Sequence, residues 1–453
     1  MISSKHINKV IAAALVFALL MSAMIVYAAN VYESSYTPEY QKRLFNENVA
    51  TIDIKVDKSD WQKLIKDASD KDWIVADLVI NGEAFNGVGL RTKGNSSIDK
   101  TEKSESDKYS LNIEFNKYVK GQTYYGLDTF CLNNMVGDAT YMKEYIAYDI
   151  MRYIGVPAPL TNYATVTVNG EYYGLMLVLE RYDESFLDRV YNTTSGQLYN
   201  VKKTKEENGG SLLYVGNDKD KYSQIFDNIV FKNKSSKHED RIITAIENLN
   251  AGINLEQYWD IDGILRYFAA HTVVVNLKSY VSDQKQNYYL YIREGKVTIL
   301  PWSYHMSFGG YPESITDATF IVNFPIDTPV YGVEMEERPL LDKLLEVPEY
   351  KERYHEYLRQ IVEGYFDSGL FGETINNLNT AIGGYVKTDD TGFYTYDQYL
   401  LSVSNLAMLG LLRAESITGQ LDGTIPSTTS GQSADSSALV DASYVNLISF
   451  GGK

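Results

Sequence analysis

The chain has 453 residues and a formal net charge of −17; 44% of its residues are hydrophobic and 22% are charged. This composition excludes a disordered chain, and the acidity argues against a nucleic-acid backbone or an anionic membrane surface as a partner. A single cysteine, Cys131, rules out an internal disulfide, and no Cys/His spacing predicts structural zinc. If the protein handles phosphates, it must do so with a local basic pocket or a metal.

The N-terminus has the features of a targeting segment. Lys5 and Lys9 precede an uncharged run from Val10 to Val26, and small residues follow up to Ala28. This pattern predicts a secretory signal peptide over 1–28, cleaved after Ala28, and hence an exported protein. The uncharged run of about 17 residues approaches a membrane span, so a retained anchor is the alternative.

A polar linker is expected over 29–48, followed by a segment rich in strand and hairpin signals. Residues 51–56 alternate apolar and polar side chains, as in a half-buried strand. Asn81-Gly82 and Asn169-Gly170 each join two apolar stretches, and this dipeptide is a strong hairpin signal. The sequence therefore predicts an antiparallel sheet in this half.

One helix is predicted within the sheet, between Asp138, which can cap its start, and Gly155, which can end it. Its apolar residues recur at helical spacing, so we expect one face to pack on the sheet. Beyond residue 181 helices dominate, and a lone hairpin is predicted over 287–300. The helices are predicted at 240–248, 259–276, 349–366 and 396–417.

The expected fold is α+β and kinase-like, with two lobes. The N-lobe, about 49–180, is rich in antiparallel sheet with one main helix; the C-lobe, about 181–416, is helical with the inserted hairpin. The tail over 417–453 is rich in Ser, Thr and Gly, and it is typical of a flexible linker or a docked extended segment.

Four segments contain candidate functional residues. The loop 91–97 combines a flexible glycine, polar donors and two cations, which suits phosphate, although an ordinary polar loop has the same composition. Lys108 opens the next strand and could reach a phosphate, or could simply keep a strand edge soluble. Glu144 could pair with a strand lysine, or lie on a solvated helix face. Ser303 and His305 lie among apolar residues in 301–309, where a lone histidine is more often structural than a ligand.

These residues resemble motifs of the CotH kinase family, bacterial spore-coat and secreted proteins with an atypical protein-kinase-like fold. The resemblance covers roughly residues 50–416. Its best stretches are Arg91–Ser97, Leu132-Asn133-Asn134 with Asp138, Val168–Gly174, Asn276-Leu277, Asn287–Tyr291, Pro301-Trp302 and Phe308-Gly309.

The resemblance implies ATP-dependent phosphorylation of secreted or coat proteins, with Mg²⁺ or Mn²⁺ as cofactor. It places phosphate against Lys108 and the loop residues Arg91, Lys93, Gly94, Asn95 and Ser96. It implies that Glu144 organises the strand lysine, and that Glu180 lies near the nucleotide base, where the two lobes join.

The sequence departs from the family at its metal and catalytic positions. The family motif is usually Pro-Trp-Asp-x-Asp, but in this sequence Ser303 and His305 occupy the positions of the two aspartates. Asn287 belongs to the same metal region. After Asn276-Leu277, where the family usually has an aspartate, this sequence has Lys278. Mg²⁺ prefers carboxylate oxygens, and a lysine is no general base near neutral pH unless its pKa falls by several units. Asp283, close after Lys278, is the alternative carboxylate.

The sequence therefore predicts an exported kinase-like protein with impaired catalysis, that is, a pseudokinase. One alternative is an active secreted or spore-coat Ser/Thr kinase that uses ATP and a divalent metal. The other is a surface or coat protein with a structural or binding role. The expected partners are secreted or coat proteins, with no nucleic acid and no membrane after signal cleavage, in the cell envelope, the spore coat or the medium.

Overall fold

The computed structural model describes residues 37–204, 208–230 and 236–451. The predicted signal peptide over 1–28 lies outside the described residues. The stretch expected to be a linker is described from residue 37, and it contains a short helix, α1 (Glu39–Leu44). Tyr40 and Leu44 of this helix are buried with the strands of the first half. The folded part of the chain therefore begins before residue 49.

Seven strands in the first half form a closed barrel. In chain order they are β1 (Ala50–Val56), β2 (Ile74–Ile80), β3 (Glu83–Thr92), β4 (Leu111–Glu114), β5 (Thr129–Asn133), β6 (Thr161–Val168) and β7 (Glu171–Glu180). Around the barrel they follow the order β1-β2-β3-β4-β5-β7-β6, and a parallel β1–β6 pair closes it. The other six strand pairs are antiparallel, as predicted. The expected open sheet is corrected to a closed barrel, because β1 is bonded on both sides and closure leaves no exposed edge.

The two predicted hairpin turns are confirmed, and they also fix β1. Asn81 and Asn169 have φ angles of 49° and 52°, as the first position of a type I′ turn requires. The Asn81 side-chain oxygen accepts a hydrogen bond from the N–H of Thr51 at 2.9 Å. The Asn169 oxygen accepts one from the N–H of Val56, also at 2.9 Å. Both turns therefore hold an end of the strand that closes the barrel.

Helices dominate the second half, as predicted. With α1, the helices are α2 (Lys58–Lys66), α3 (Ser96–Lys103), α4 (Lys143–Tyr153), α5 (Glu184–Tyr191), α6 (Ser223–Phe226), α7 (Ser236–Asn250), α8 (Leu255–Tyr258), α9 (Ile261–Val274), α10 (Ala318–Val322), α11 (Pro339–Leu345), α12 (Pro348–Ile361), α13 (Leu370–Thr388), α14 (Tyr396–Leu421) and α15 (Thr429–Ala434). The α+β class is therefore confirmed.

The prediction of one helix in the first half is wrong, because α1, α2 and α3 lie there besides α4, and several short helices of the second half were not predicted. Two of the longer helices show the physical reasons for such differences. Helix α4 begins at Lys143 and not near Asp138, because the Asp138 carboxylate accepts hydrogen bonds from the N–H groups of Thr140 and Lys143 and holds a turn before the helix. Helix α13 was not predicted, since its glycines and asparagines are weak helix formers. Its buried Phe371 and Ile375 stabilise it through packing instead.

The predicted hairpin belongs to a three-stranded sheet. Strands β9 (Tyr288–Arg293) and β10 (Lys296–Pro301) pair as expected, and β8 (Gln197–Val201) adds a third strand beside β9. The sheet packs with α9, whose residues are almost all buried, so that α9 lies at the centre of the second half. The core that contains α9 also contains the apolar face of α4, which joins the two halves.

Helix α14 is long and apolar enough to cross a membrane by length and composition alone. However, 56% of its most apolar window is buried inside this fold. Its inner face includes the buried residues Leu406, Leu409 and Ile417. A core helix of this kind passes the same length test as a membrane span, so the feature is weak evidence for a membrane.

The C-terminal tail lies on the folded domain up to residue 451. Helix α14 continues to Leu421, inside the stretch expected as tail, and α15 follows. Beyond α15 the side chains of Val445, Leu447 and Phe450 are buried. The Phe450 carbonyl accepts a hydrogen bond from the N–H of Ala139 at 2.8 Å, just before α4. Of the two expectations for the tail, the docked segment is the one that the structure shows.

Replacing Phe450 with alanine should therefore destabilise the protein. Burial of the ring is complete, so we expect the free energy of unfolding to fall by about 3 kcal/mol. Urea unfolding followed by fluorescence measures it. The control is Ile448→Ala in the same segment, since Ile448 is 58% exposed and its loss should change stability by about 0.5 kcal/mol or less. Equal midpoints for the two variants would show that the tail does not contribute to the fold.

Candidate functional site

A cavity of about 620 Å³ opens between the barrel and the second half. Its walls come from the loop after β3, the end of β5, and the segments that follow β7, β8, α9 and β10. Seven cationic side chains and two carboxylates line it: Lys71, Arg91, Lys93, Arg181, Lys202, Lys203 and Lys278, against Asp99 and Glu144. In a chain of net charge −17, this is a local basic pocket of the kind that phosphate binding requires.

The loop 91–97 forms one wall, and its predicted residues all line the cavity. Gly94 has a φ of +108°, and a Cβ at this position would lie 1.9 Å from the Ser97 hydroxyl oxygen, so only glycine fits. Asn95 accepts a hydrogen bond from Lys71, and the Ser96 hydroxyl accepts one from Lys278 Nζ at 2.7 Å. The loop thus gathers two lysines at the positive N-terminal end of α3.

A chain of hydrogen bonds connects this loop to α4. Lys93 donates to the side-chain oxygen of Asn133, whose amide nitrogen donates to Glu144 Oε2 at 2.6 Å. The other Glu144 oxygen accepts from the N–H of Tyr304 at 3.2 Å. Burial raises the pKa of Glu144, and the nearby charge of Lys93 acts in the opposite direction. Glu144 is therefore connected to Lys93, through Asn133. The alternative that Glu144 lies on a solvent-exposed helix face is wrong, because its side chain is buried.

Lys108 lies outside the cavity lining, which corrects its expected role in holding phosphate. Its Nζ forms an ion pair with Asp389 Oδ2 at 2.9 Å, and both side chains are almost completely buried. Asp389 follows α13 and also accepts a hydrogen bond from the N–H of Leu175. Lys108 therefore fastens the barrel to the second half, and the sequence could not show this because its partner is 281 residues away.

Glu180 is also placed away from the cavity, so its expected position near a nucleotide base is corrected. It is fully buried and accepts hydrogen bonds from Tyr40 at 2.8 Å and from Arg189 at 2.9 Å. The N–H of Leu160 donates to its second oxygen at 3.0 Å. These bonds occupy both carboxylate oxygens, and they tie α1 and α5 to the end of β7.

The segment after β10 places Ser303 and His305 in the cavity wall. The Ser303 hydroxyl and His305 Nδ1 are 3.4 Å apart, and Ser303 has a φ of 66°, which is uncommon for a residue other than glycine. Burial lowers the pKa of His305 well below its usual value, and the charges of Lys278 and Lys93, with those of Lys143 and Lys100, lower it further. The imidazole is therefore neutral at pH 7, in a strongly positive environment.

Lys278 projects into the same cavity. Its Nζ binds Ser96 and lies 5.6 Å from the centre of the Tyr311 ring. Burial, followed by the charge of Lys100, lowers its pKa. Its carbonyl accepts a hydrogen bond from Asn287 Nδ2 at 2.7 Å, so the predicted metal-region residue Asn287 lines the cavity while its amide supports the lysine backbone.

Asp283 does not line the cavity. Its side chain is exposed and accepts a hydrogen bond from its neighbour Gln284 at 3.2 Å. Across the described ranges, no group of three or more His, Cys, Asp or Glu side chains could hold a metal ion. The alternative carboxylate, Asp283, is therefore not at the site.

Several lining residues were not predicted as site residues. Asn133 and Asn134 were quoted only as a family motif; the Asn134 oxygen accepts from the Ser110 hydroxyl at 3.0 Å. Their position at the end of a strand was the available signal. Lys71, Arg181 and Lys202 gave no signal, because isolated cations in loops are ordinary surface residues until the fold brings them together.

The site can bind phosphate oxygens, because it offers ammonium, guanidinium and amide donors around one cavity. Two carboxylates also line the cavity. Of its two carboxylates, Glu144 is engaged by Asn133 and Tyr304, and Asp99 is exposed.

The lowered pKa of His305 predicts a pH effect on stability. An unfolded chain binds a proton at this histidine near its ordinary value of 6.5, whereas the folded one does not. The free energy of unfolding therefore falls as pH drops below 6.5, by about 1 kcal/mol at pH 5.5 for this one group. His305→Gln should lose less stability than the parent between pH 7.0 and pH 5.5, as urea unfolding will measure. Parallel profiles would contradict the neutral imidazole.

Comparison with known proteins gives two curated relatives and a distant structure. "Inner spore coat protein H" of Bacillus subtilis (strain 168) is 22% identical over 282 residues, which cover 58% of this chain and 70% of the relative. "Inner spore coat protein H-like protein" of the same strain is 29% identical over 96 residues, 21% of this chain and 30% of the relative. A chain from the Shewanella oneidensis MR-1 toxin–antitoxin HipA, HipB and operator DNA complex aligns with 12% identity and a TM-score of 0.31. That alignment covers 69% of this chain and 59% of the other, and so low a score supports no argument about fold.

A family model described as "CotH kinase protein" matches residues 90–417. This range begins in β3 and ends in α14, so it contains the loop 91–97, α4 and the segments that carry Lys278 and His305. The match spans most of the chain and all but one of the cations that line the cavity, and the chain therefore belongs to the CotH kinase protein family.

Proposed function

We propose that the protein is an exported, kinase-like member of this family that binds the phosphates of a nucleotide-like ligand without a divalent metal and transfers phosphoryl groups poorly or not at all. The observation that carries the proposal is the bond from Lys278 Nζ to Ser96 at 2.7 Å. It places an ammonium group at the phosphate-binding loop, on the residue where the family has an aspartate.

Electrostatics explains why binding and transfer separate here. An ammonium group beside phosphate oxygens neutralises part of the charge that a metal would neutralise. In-line phosphoryl transfer also needs the metal to bridge the phosphates and a carboxylate to orient the nucleophile. With Lys278, Ser303 and His305 in place of the aspartates, the phosphate charge is neutralised in part. No carboxylate at these positions holds a metal or orients the nucleophile.

The two-lobed, kinase-like architecture is part of the same proposal. Its support is the arrangement of the cavity, which lies between the barrel with α4 and the helical half. The lysine–glutamate connection of kinases has a counterpart in Lys93 and Glu144, joined through Asn133. The names of the two Bacillus relatives support a location in the spore coat, and export is proposed from the N-terminal sequence.

The active-kinase alternative is weaker, because Asp283 is exposed and outside the cavity. The purely structural alternative gains nothing from the tyrosine content, since many tyrosines, such as Tyr148, Tyr182 and Tyr267, are fully buried. A structural coat protein also has no need of a cavity lined by seven cations.

The proposal predicts ATP binding in the presence of EDTA. The parent protein should show a rise in melting temperature that increases with ATP concentration. Lys278→Met should weaken ATP binding about tenfold or more, because a charge-assisted hydrogen bond is lost. The matched control is Lys296→Met, an exposed lysine at the start of β10, which should bind as the parent does. Binding that appears only with Mg²⁺ or Mn²⁺, or no binding at all, would refute the proposal.

A second experiment tests the cause of the impairment. The triple variant Lys278→Asp, Ser303→Asp and His305→Asp restores the carboxylates of the family pattern beside a cavity that remains cationic. We expect autophosphorylation with radiolabelled ATP and Mn²⁺ to rise at least a hundredfold over the parent. If a folded triple variant gains no activity, the three substitutions are not what makes the parent inactive.

A further inference from the structure

The outer face of helix α14 (Tyr396–Leu421) is apolar over about three turns. Four of its aliphatic side chains are between 38% and 55% exposed: Leu400, Leu401, Met408 and Leu411. One exposed aliphatic residue is ordinary in a folded protein, but a patch of several on one element marks a surface that binds a partner. The outer face of α14 is therefore a candidate interaction surface.

The exposed residues follow the spacing of a helix–helix seam. Leu401, Ser404, Met408 and Leu411 recur at intervals of three, four and three residues, which is the a/d pattern of a coiled coil. All four are exposed, so this stripe faces outward. The small Ser404 in the middle leaves room for a side chain of a facing helix. A stripe this narrow suits a single helix better than a broad surface.

The C-terminal tail packs beside this stripe. The N–H of Asn446 donates a hydrogen bond to Asn405 Oδ1 at 3.1 Å, and the Ser402 hydroxyl donates one to the Ser449 carbonyl at 2.5 Å. Ile448, between these two tail residues, is 58% exposed and adds an aliphatic side chain on the tail side of α14. The tail therefore borders the stripe and leaves the stripe itself uncovered.

The charge around the stripe is almost entirely negative. Residues 388–451, all of which the structure describes, contain one cation, Arg413, and seven carboxylates: Asp389, Asp390, Asp397, Glu415, Asp422, Asp435 and Asp441. Arg413 is buried and donates to three backbone carbonyls, so it adds no positive charge to the surface. Lys387 adds one positive charge near the start of α14, where its Nζ lies 5.7 Å from the centre of the Tyr396 ring. A cationic partner fits this surface.

The charges at the two ends argue against a second copy of the chain as the occupant. Asp397 and Glu415 are exposed, and they continue the a/d series four residues before Leu401 and four after Leu411. Antiparallel packing of two α14 helices would place each aspartate against a glutamate, and parallel packing would place each carboxylate against its own copy. Like charges that face each other reject the wrong partner. The same carboxylates repel an anionic lipid surface.

We infer that the outer face of α14 is a docking surface for a basic amphipathic helix of another protein. The apolar face of that helix packs on the stripe between Leu400 and Leu411, and its flanking Lys or Arg residues pair with Asp397 and Glu415. Apolar contacts supply the affinity in this mode of recognition, and the charges select the partner. No residue of α14 lines the cavity, so the inference does not depend on the proposed function.

Fluorescence anisotropy with three labelled peptides of about 18 residues, or five turns, tests the inference on the purified protein. The first has leucines at a and d and lysines at the flanking positions. The second has the same composition, scrambled so that its leucines share no face, and the third has glutamates in place of the lysines. We expect the first to bind, the second to bind at least tenfold more weakly, and the third not to bind. Equal binding of the first two would mean that net charge alone attracts them and would overturn the inference, as would no binding of the first at about 100 µM protein.

Variants locate the peptide on α14. The double variant Leu401→Gln, Leu411→Gln should weaken binding of the first peptide tenfold or more, and glutamine keeps the helix propensity of leucine. Because both side chains are exposed, its melting temperature should stay close to that of the parent. Asp397→Asn with Glu415→Gln should weaken binding about threefold at low salt and reduce its salt dependence. The matched control is Ile253→Gln, outside α14 and 53% exposed, which should bind as the parent does. Unchanged affinity in both double variants would contradict the inference.

The other two occupants are tested by sedimentation velocity and by flotation with phosphatidylcholine vesicles. We expect the parent protein to sediment as a monomer and its vesicle binding to be the same as that of the double leucine variant. If the parent forms a dimer that this variant converts to a monomer, a second copy occupies the face. If the parent floats with vesicles and the variant does not, the face binds lipid. Either result would overturn the inference.

Discussion

The buried carboxylate of Glu144 joins the three parts of the molecule that build the cavity. Through Asn133 it reaches Lys93 at the end of β3, and through its second oxygen it holds the N–H of Tyr304 in the segment after β10. A carboxylate that is removed from water costs free energy unless its oxygens are hydrogen-bonded, so this group can remain buried only while barrel, α4 and the later segment stay in register. The relative position of the cavity walls depends on that requirement.

Positive charge is the second constraint, and it opposes the first. Seven cationic side chains line the cavity, against two carboxylates. The fold offsets the cost with ion pairs elsewhere, such as the buried pair of Lys108 and Asp389 that links the barrel to the second half. An interior pair of this kind is worth little on its own, but breaking it leaves an uncompensated charge. It therefore keeps the halves together while the cavity remains open to an anion.

The replacement of carboxylates by Lys278, Ser303 and His305 is consistent with this charge pattern. The loss of one aspartate would only weaken a metal site. In this protein Lys278 occupies one of the three positions, and the charges of four lysines act on His305 at another. Under the proposed function, lysine side chains supply the positive charge that a bound metal ion supplies in an active kinase. Such a site favours anion binding and makes a divalent ion harder to bind, because the fixed charges repel it.

The sequence by itself determined the local features: the hairpin turns at Asn81 and Asn169, the helical second half, the loop around Gly94 and the family to which the chain belongs. These depend on residues close together in the chain, where spacing and backbone preference act directly. Only the tertiary structure decided the closure of the barrel, the docking of the tail, and the true partners of Lys108 and Glu180. Those depend on contacts between residues far apart in sequence, such as the 281 positions that separate Lys108 from Asp389. For the same reason the sequence did not reveal Lys71, Arg181 and Lys202 as lining residues of the cavity, since charges from separate segments form no pattern until the chain folds.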